Sequence, residues 1–305
     1  MIVKTEMDNT PVGPTLITGG SGFLGKALAN ALTGLGEKVV VFDKTLPPAC
    51  EQVDGVVYAK GDIRNAEDLL QTATENGVQS IVHLAALVIP SCRSNPVLGA
   101  EVNIIGHLNA LDTALKLGIN RFVYTSSLAA RPRGPLNSPA NLYGIYKSAC
   151  EDISKVYFLD HGLATVGLRP NVVYGPERTD GETAAISLAM RAAIRNESYE
   201  IPFSGRMCFQ HVDEVVEIFI RCLQANPEVP VVSDLTTEIN SIDEVVTAIR
   251  ETVPEARITS APVQRAAPDG IDNSPLRELL GNWQAVPLNE GVSRTINSLR
   301  ETGIA

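Results

Sequence analysis

Short, continuously apolar runs alternate along the first half of the chain with longer stretches in which apolar residues return every three or four positions. The runs lie at 15–18, 38–43, 55–62, 80–86, 121–127 and 163–170, and each is predicted as a strand. Unbroken Val/Ile/Leu runs mark strands covered on both faces, because a strand with one wet face alternates apolar and polar residues. Helices are expected over 22–35, 65–76, 97–117 and 142–161; in the second of these Leu69, Leu70 and Ala73 share a face. Strand and helix in strict alternation with short links predict an α/β chain built on a doubly wound parallel sheet.

Beyond residue 175 the rhythm loosens. Helices are predicted over 181–196, 213–225, 241–253 and 288–301, with strands over 207–212 and 230–235. Prolines at 254, 262, 268 and 275 interrupt the stretch before the last helix. Three parts are expected: a flexible N-terminal lead (1–14), a sheet domain (15–175), and a smaller C-terminal region (176–305) with a soft boundary.

The net charge of −10, with no basic cluster, argues against nucleic acid or an anionic membrane as a partner. No apolar run is long enough to span a bilayer. Five cysteines, an odd number with no CxxC pair, suit free thiols in a reducing, cytoplasmic setting better than disulfides, and no metal site is expected.

Candidate chemistry begins with "LITGGSGFLGKAL" (16–28), where Gly19, Gly22 and Gly25 join the first strand to the first helix. Gly19 suits a tight turn, Gly22 a close backbone approach to a pyrophosphate, and Gly25 close packing of helix on strand. The first turn, with Phe23 and Leu24, offers backbone N–H groups and the positive end of the helix dipole to phosphates. Asp43 ends the second strand, where a carboxylate accepts hydrogen bonds from ribose hydroxyls and repels a 2′-phosphate. NAD is therefore expected over NADP, a preference that neighbouring Lys44 softens.

These glycines are spaced GxxGxxG, and "TGGSGFLG" closely resembles the opening of the short-chain dehydrogenases/reductases of the extended, epimerase/dehydratase type. "GDIR" (61–64), "HLAA" (83–86), "VNIIG" (102–106) and "LGNWQAVPLNEGVSRTI" (280–296) resemble further segments of that family. The resemblance implies a Rossmann fold and NAD as cofactor. It assigns Asp62 and Ile63 to the adenine end, Leu84, Ala85 and Ala86 to the cofactor wall, and Asn103 to the family's asparagine motif. Pro170 and Val172, in "LRPNVVYGP" (168–176), would pass the nicotinamide.

Tyr143 and Lys147 stand at i, i+4 in "YGIYK", one turn apart on one helix face. A phenol of pKa near 10 is a poor base at neutral pH, and a neighbouring ammonium favours its ionised form. Tyr143 is the expected acid/base, with Lys147 also holding the nicotinamide ribose by the family resemblance. In "YTSS" (124–127), Ser127 matches the family's catalytic hydroxyl and Ser126 supports the nicotinamide end. Val88, Ser91, Leu128, Asn171 and Arg178 are further substrate-contact candidates. Cys92 is expected to be inert, His83 a satisfied core residue, and Tyr146 packing.

The same family houses several reactions. Leu128 and Ala129 stand where 4,6-dehydratases carry an Asp-Glu pair. Met207 occupies the place of an arginine that grips nucleotide phosphates in sugar-nucleotide enzymes, and Val172 that of their asparagine. The expected activity is hydride transfer between NAD and a secondary alcohol or ketone of a small polar substrate, a sugar, polyol or hydroxy acid. The alternatives are a nucleotide-sugar 4-epimerase with retained NAD and a non-catalytic NAD-sensing protein. A homodimer through helices 97–117 and 142–161 is expected, although Gly106, Ala110 and Ala114 could equally pack on the sheet.

Overall fold

The apolar runs form one parallel sheet. In a computed structural model of the chain, which describes residues 12–133, 136–225, 227–235, 238–266 and 269–303, the strands are β1 (Thr15–Thr18), β2 (Val39–Asp43), β3 (Val57–Lys60), β4 (Ser80–His83), β5 (Arg121–Thr125) and β6 (Thr165–Arg169). A seventh strand, Val231–Asp234, pairs with β6, and the order across the sheet is Val231–Asp234, β6, β5, β4, β1, β2, β3. The seventh strand is the one predicted over 230–235, and it extends the main sheet. The order reverses between β1 and β4, so the loops leaving these two strands diverge and open a crevice at their C-terminal ends. There Thr18 sits level with Phe42 on one side and His83 on the other.

Helices α1 (Phe23–Gly34), α2 (Ala66–Glu75) and α6 (Leu142–His161) match the periodic segments. The Asn65 carboxamide oxygen caps α2, accepting from the Glu67 and Asp68 N–H groups, and Asn141 caps α6 by accepting from Gly144. The helix predicted over 97–117 is three pieces: α4 (Pro96–Ala100), a π-helical turn (Glu101–Ile105) and α5 (Gly106–Leu117). A short helix not foreseen, α3 (Ile89–Ser94), precedes it. One core joins Leu16, Val40, Phe42, Leu69, Ile81, Ala110, Leu111, Ala114 and Phe122. Each fully buried Leu, Ile or Phe side chain in it contributes about 1.5–3 kcal/mol.

Two imidazoles lie inside this layer. His83 Nδ1 is 2.7 Å from Thr18 Oγ1, and His107 Nε2 is 2.9 Å from Ser154 Oγ. Burial holds both rings neutral, lowering His107 to about 3 and His83 well below its ordinary value. His83 is thus the satisfied core residue expected from its apolar strand.

The chain divides into two compact units. The sheet belongs to the first, which takes in Val216–Asp234 and Ser274–Trp283 as well as the chain up to Arg169. The second comprises Pro170–Val215, Leu235–Asn273 and the chain from Gln284. Its strands are short: Val172–Tyr174 pairs with Phe209–His211, Ser198–Ile201 with Arg257–Ser260, and Ser204–Met207 with Asn240–Ser241 and Gln264–Arg265. Helices Ala185–Ile194, Ile242–Thr252 and Leu288–Glu301 close over a core that includes Ile186, Met190, Phe203, Met207, Val245, Ile249 and Ile296. A Ser241–Glu244 capping box starts the second of these helices.

Of the lead expected over 1–14, residues 1–11 lie outside the described residues. Residues 12–14 are packed: the Val12 side chain is buried and its N–H donates to Glu37, while the Pro14 carbonyl accepts from Gln79. No helix among the described residues is long and apolar enough to cross a membrane.

Candidate active site

The three glycines of the first loop have different constraints. Gly19 has φ +69°, and a Cβ there would lie 2.7 Å from the Ala85 backbone nitrogen, so only glycine lets this loop pack on the one leaving β4. A Cβ on Gly25 would fall 2.5 Å from the Gly20 Cα, so this glycine seats α1 against its own loop. Gly22 is exposed, and an added Cβ would meet only the Gly19 carbonyl, at 3.3 Å. The protein's own packing thus leaves space beside Gly22, and α1 begins with no side-chain cap and no acidic residue in its first turn. An open, uncapped helix start facing space is a receptor for an anion such as a pyrophosphate.

Beside it lies a cleft of about 340 Å³. Gly19, Gly22, Asp43, Lys44, Asp62, Ile63, Leu84, Ala85 and Ala86, all cofactor candidates from the sequence, line it together. Phe42, Gly61, Leu87, Leu98 and Val102 complete the lining. Phe42 read in sequence only as a strand residue, and Gly61 as the start of "GDIR"; the Phe42 ring fills the space where a Cβ on Gly61 would stand. Leu98 and Val102 reach the cleft from α4 and the π-helical turn, a break in the helix that apolar spacing does not announce.

Asp43 is held in place at the end of β2. Its carboxylate accepts from the Ser21 N–H and the Thr45 N–H, each at 3.1 Å, leaving lone pairs for further donors. The exposed Lys44 turns to Asp62, with Nζ 3.7 Å from Oδ2. Arg64 grips Asp62 more closely, through Nε at 3.0 Å and Nη2 at 2.7 Å. Those hydrogen bonds hold the Asp62 carboxyl at about 2, well below the usual range. Phe23 and Leu24 are half-buried in the first turn of α1.

Asn103 does not line the cleft. It is buried, and its Nδ2 donates to the Gly99 and Leu87 carbonyls, fastening the loop after β4 to the π-helical turn. Its Oδ1 finds no hydrogen-bond partner among the described residues. Cys92 donates to the same Leu87 carbonyl, and burial pushes its thiol up, the opposite of an activated nucleophile. Val88 is exposed and Ser91 half-buried.

The second cluster sits where β5 ends. Lys147 is buried, and its Nζ donates to the Thr125 carbonyl at 2.6 Å and stands 5.8 Å from the centre of the Tyr143 ring. Burial lowers its pKa, and Cys150, Cys92 and Glu151 offset part of that. Tyr143 is half-buried one turn earlier, whereas Tyr146 is buried with its hydroxyl on the Pro96 carbonyl, a packing role. Ser127 starts a short 3₁₀ turn, its Oγ accepting from the Ala129 N–H. Leu128, offered as a substrate contact, is instead buried in the interior.

Ser126 is buried, and its hydroxyl donates to Glu151. Arg169 forks onto the same carboxylate, with Nε at 2.7 Å and Nη2 at 2.5 Å. Its Nη1 lies 3.5 Å from Asp234, whose other oxygen accepts from Arg131 at 2.5 Å. This chain of charges ties α6 to the ends of β5, β6 and the seventh strand. It was not foreseen, though Glu151 follows Lys147 by one helical turn and Arg169 closes a strand. Arg131 is an ion-pair partner within the fold.

Pro170, Asn171, Val172 and Arg178 belong to the second unit. Asn171 Oδ1 accepts from the Cys208 N–H, Val172 is buried in that unit's core, and Arg178 Nε donates to the Asp180 carbonyl. Met207 is likewise core, and its exposed neighbour Arg206 bonds the Ile239 carbonyl. Among the described residues no group of His, Cys, Asp and Glu is placed to hold a metal ion.

Comparison with known proteins agrees with this geometry. The family model for the NAD dependent epimerase/dehydratase family matches residues 15–233. The UDP-glucose 4-epimerase of Rhizobium meliloti is 32% identical over 203 residues, 61% of this chain and 62% of that one, so the match spans a little under two thirds of that relative. The D-erythronate dehydrogenase of Haemophilus influenzae is 30% identical over 70% of this chain and 73% of its own length. Among solved structures, a GalE-like L-threonine dehydrogenase from Cupriavidus necator superposes with a TM-score of 0.85, at 22% identity, covering 94% of this chain and 99% of that one.

Proposed function

Because the chain belongs to the NAD-dependent epimerase/dehydratase family, we propose that it is a dehydrogenase acting on a secondary alcohol of a small polar substrate, with Tyr143 as acid/base. It is an NAD-dependent enzyme of the extended short-chain type. NAD suits the space beside Gly22 and the cleft ending at Asp43 and Asp62. In this reading Gly19, Gly22, Phe23, Leu24 and Gly25 receive the pyrophosphate and Asp43 takes the ribose hydroxyls.

The observation that carries the reading is the seat of Lys147: a buried ammonium fixed on the last carbonyl of β5 and one turn from Tyr143. A cation held there stabilises the phenolate of Tyr143, which removes the proton of a substrate hydroxyl. Ser127 hydrogen-bonds the same oxygen and steadies the charge that develops on it. Bound NAD supplies the hydride acceptor.

A dehydrogenase is favoured over a sugar-nucleotide epimerase by the second unit. The place of a phosphate-gripping arginine is a core methionine, Met207, and Val172 is a core residue rather than a polar one. D-erythronate, the substrate named for one relative, is a small polyhydroxy acid of the class proposed here. The test is incubation of pure protein with NAD and a panel of hydroxy acids, amino alcohols, polyols and sugars, read at the NADH absorbance. Free NADH with a small hydroxy acid is expected. The epimerase reading, which the Rhizobium relative favours, would prevail if the protein retained NAD through purification and interconverted UDP-sugar epimers with no net NADH.

A homodimer through α5 and α6 is part of the proposal, as is a cytoplasmic setting consistent with the free cysteines. Ala110 and Ala114 pack into the core and Gly106 lies against Ile63, so the small-residue stripe is not the contact face. Ile105, Ile145, Val156 and Leu159 are exposed instead. Sedimentation should show a dimer that Leu159→Glu turns into a monomer; a monomeric wild type at micromolar concentration would exclude it.

A further inference from the structure

Arg64 stands at the rim of the cofactor cleft without lining it, and its guanidinium spends its donors on two carboxylates from different elements. Nε and Nη2 take Asp62, and Nη1 takes Glu101 at 2.8 Å. Asp62 follows β3, and Glu101 opens the π-helical turn whose Val102 lines the same cleft. We infer that Arg64 is a positioning residue for NAD, holding the Asp62 carboxylate in one orientation at the adenosine end and tying it to Glu101. The inference rests on the assignment of this cleft to NAD.

The backbone around Asp62 is fixed without Arg64's side chain. Gly61 donates to the Asp43 carbonyl, Asn65 donates to the Asp62 carbonyl, Asn109 Nδ2 donates to the Ile63 carbonyl at 2.8 Å, and Ile63 is buried against Gly106. The Arg64 backbone N–H already donates to Asp62 Oδ1 at 3.0 Å, and what the guanidinium adds is a hold on both oxygens of that carboxylate. A fork is needed for that, since only a planar group with several donors can hold both oxygens of Asp62 and reach Glu101 as well. A carboxylate already frozen in its binding orientation spares the ligand the cost of ordering it. With Nη2 on Oδ2 and the Lys44 ammonium more distant, Oδ2 keeps a lone pair for a donor on the ligand.

The test compares ligands carrying only one half of the dinucleotide. NAD, AMP and nicotinamide mononucleotide are titrated into wild type, Arg64→Gln, Arg64→Lys and Glu101→Gln, with thermal unfolding recorded for each. Arg64→Gln should weaken NAD and AMP by about three- to tenfold, leaving mononucleotide binding and Tm close to wild type. Arg64→Lys should fall between, because an ammonium keeps the charge but not the fork. Glu101→Gln, which spares the Asp62 arm, should lose less than Arg64→Gln. Unchanged NAD and AMP binding in Arg64→Gln would overturn the inference, and so would an equal loss for all three ligands with a lowered Tm, the mark of a purely structural residue. A wild type that bound neither NAD nor AMP would remove the cofactor reading and this inference with it.

Discussion

Tyr143→Phe is expected to lower kcat by about 10²- to 10⁴-fold while NAD affinity and Tm stay at wild-type values. The change removes one hydroxyl from a half-buried ring and leaves the ring's packing in place. Lys147 keeps its seat on the Thr125 carbonyl, which does not depend on the phenol. The cleft proposed for the cofactor's adenosine half is lined by other residues, so binding and turnover should separate cleanly. Steady-state rates with the best substrate of the panel, alongside NAD titration by protein fluorescence, measure both. A variant that turned over within a few-fold of wild type would dismiss Tyr143 as the proton acceptor.

Arg169→Met should cost about 3–5 kcal/mol of stability, the range for stranding a buried charge. Arg169 forks onto Glu151 and approaches Asp234, two carboxylates whose side chains are only 3% and 1% exposed. Without the guanidinium Glu151 keeps only the Ser126 hydroxyl among the partners described above, while Asp234 retains Arg131. Denaturant midpoints of wild type and variant at neutral pH give the comparison. A cost below about 1 kcal/mol would place the pair with ordinary surface ion pairs.

Much of the sheet was readable because burial on both faces writes itself as unbroken apolar runs, and all six early strands begin within two residues of the predicted start. The helix over 97–117 was readable as helix but not as three pieces. Apolar spacing reports which face is buried; it does not report a change of hydrogen-bond register. The small strands of the second unit, such as Asn240–Ser241 and Gln264–Arg265, are two polar residues each and exist through pairing alone. In the cleft, glycines and acidic residues at strand ends stood out because a close backbone approach and, on the proposed reading, ribose binding call for those residue types. Arg64, Arg169 and Asp234 were not, because an arginine that orients a carboxylate looks in sequence like any solvated charge until the partner's place in space is known.

The π-helical turn at Glu101–Ile105 has a consequence for the helix that carries it. Each residue of a regular helix advances the azimuth by about 100°, and a wide turn absorbs roughly one extra residue without advancing the rest. It acts as a phase shifter. Upstream, Leu98 faces the cleft; downstream, Ala110, Leu111 and Ala114 face the sheet. An uninterrupted helix of the same sequence would have to give up one of these alignments.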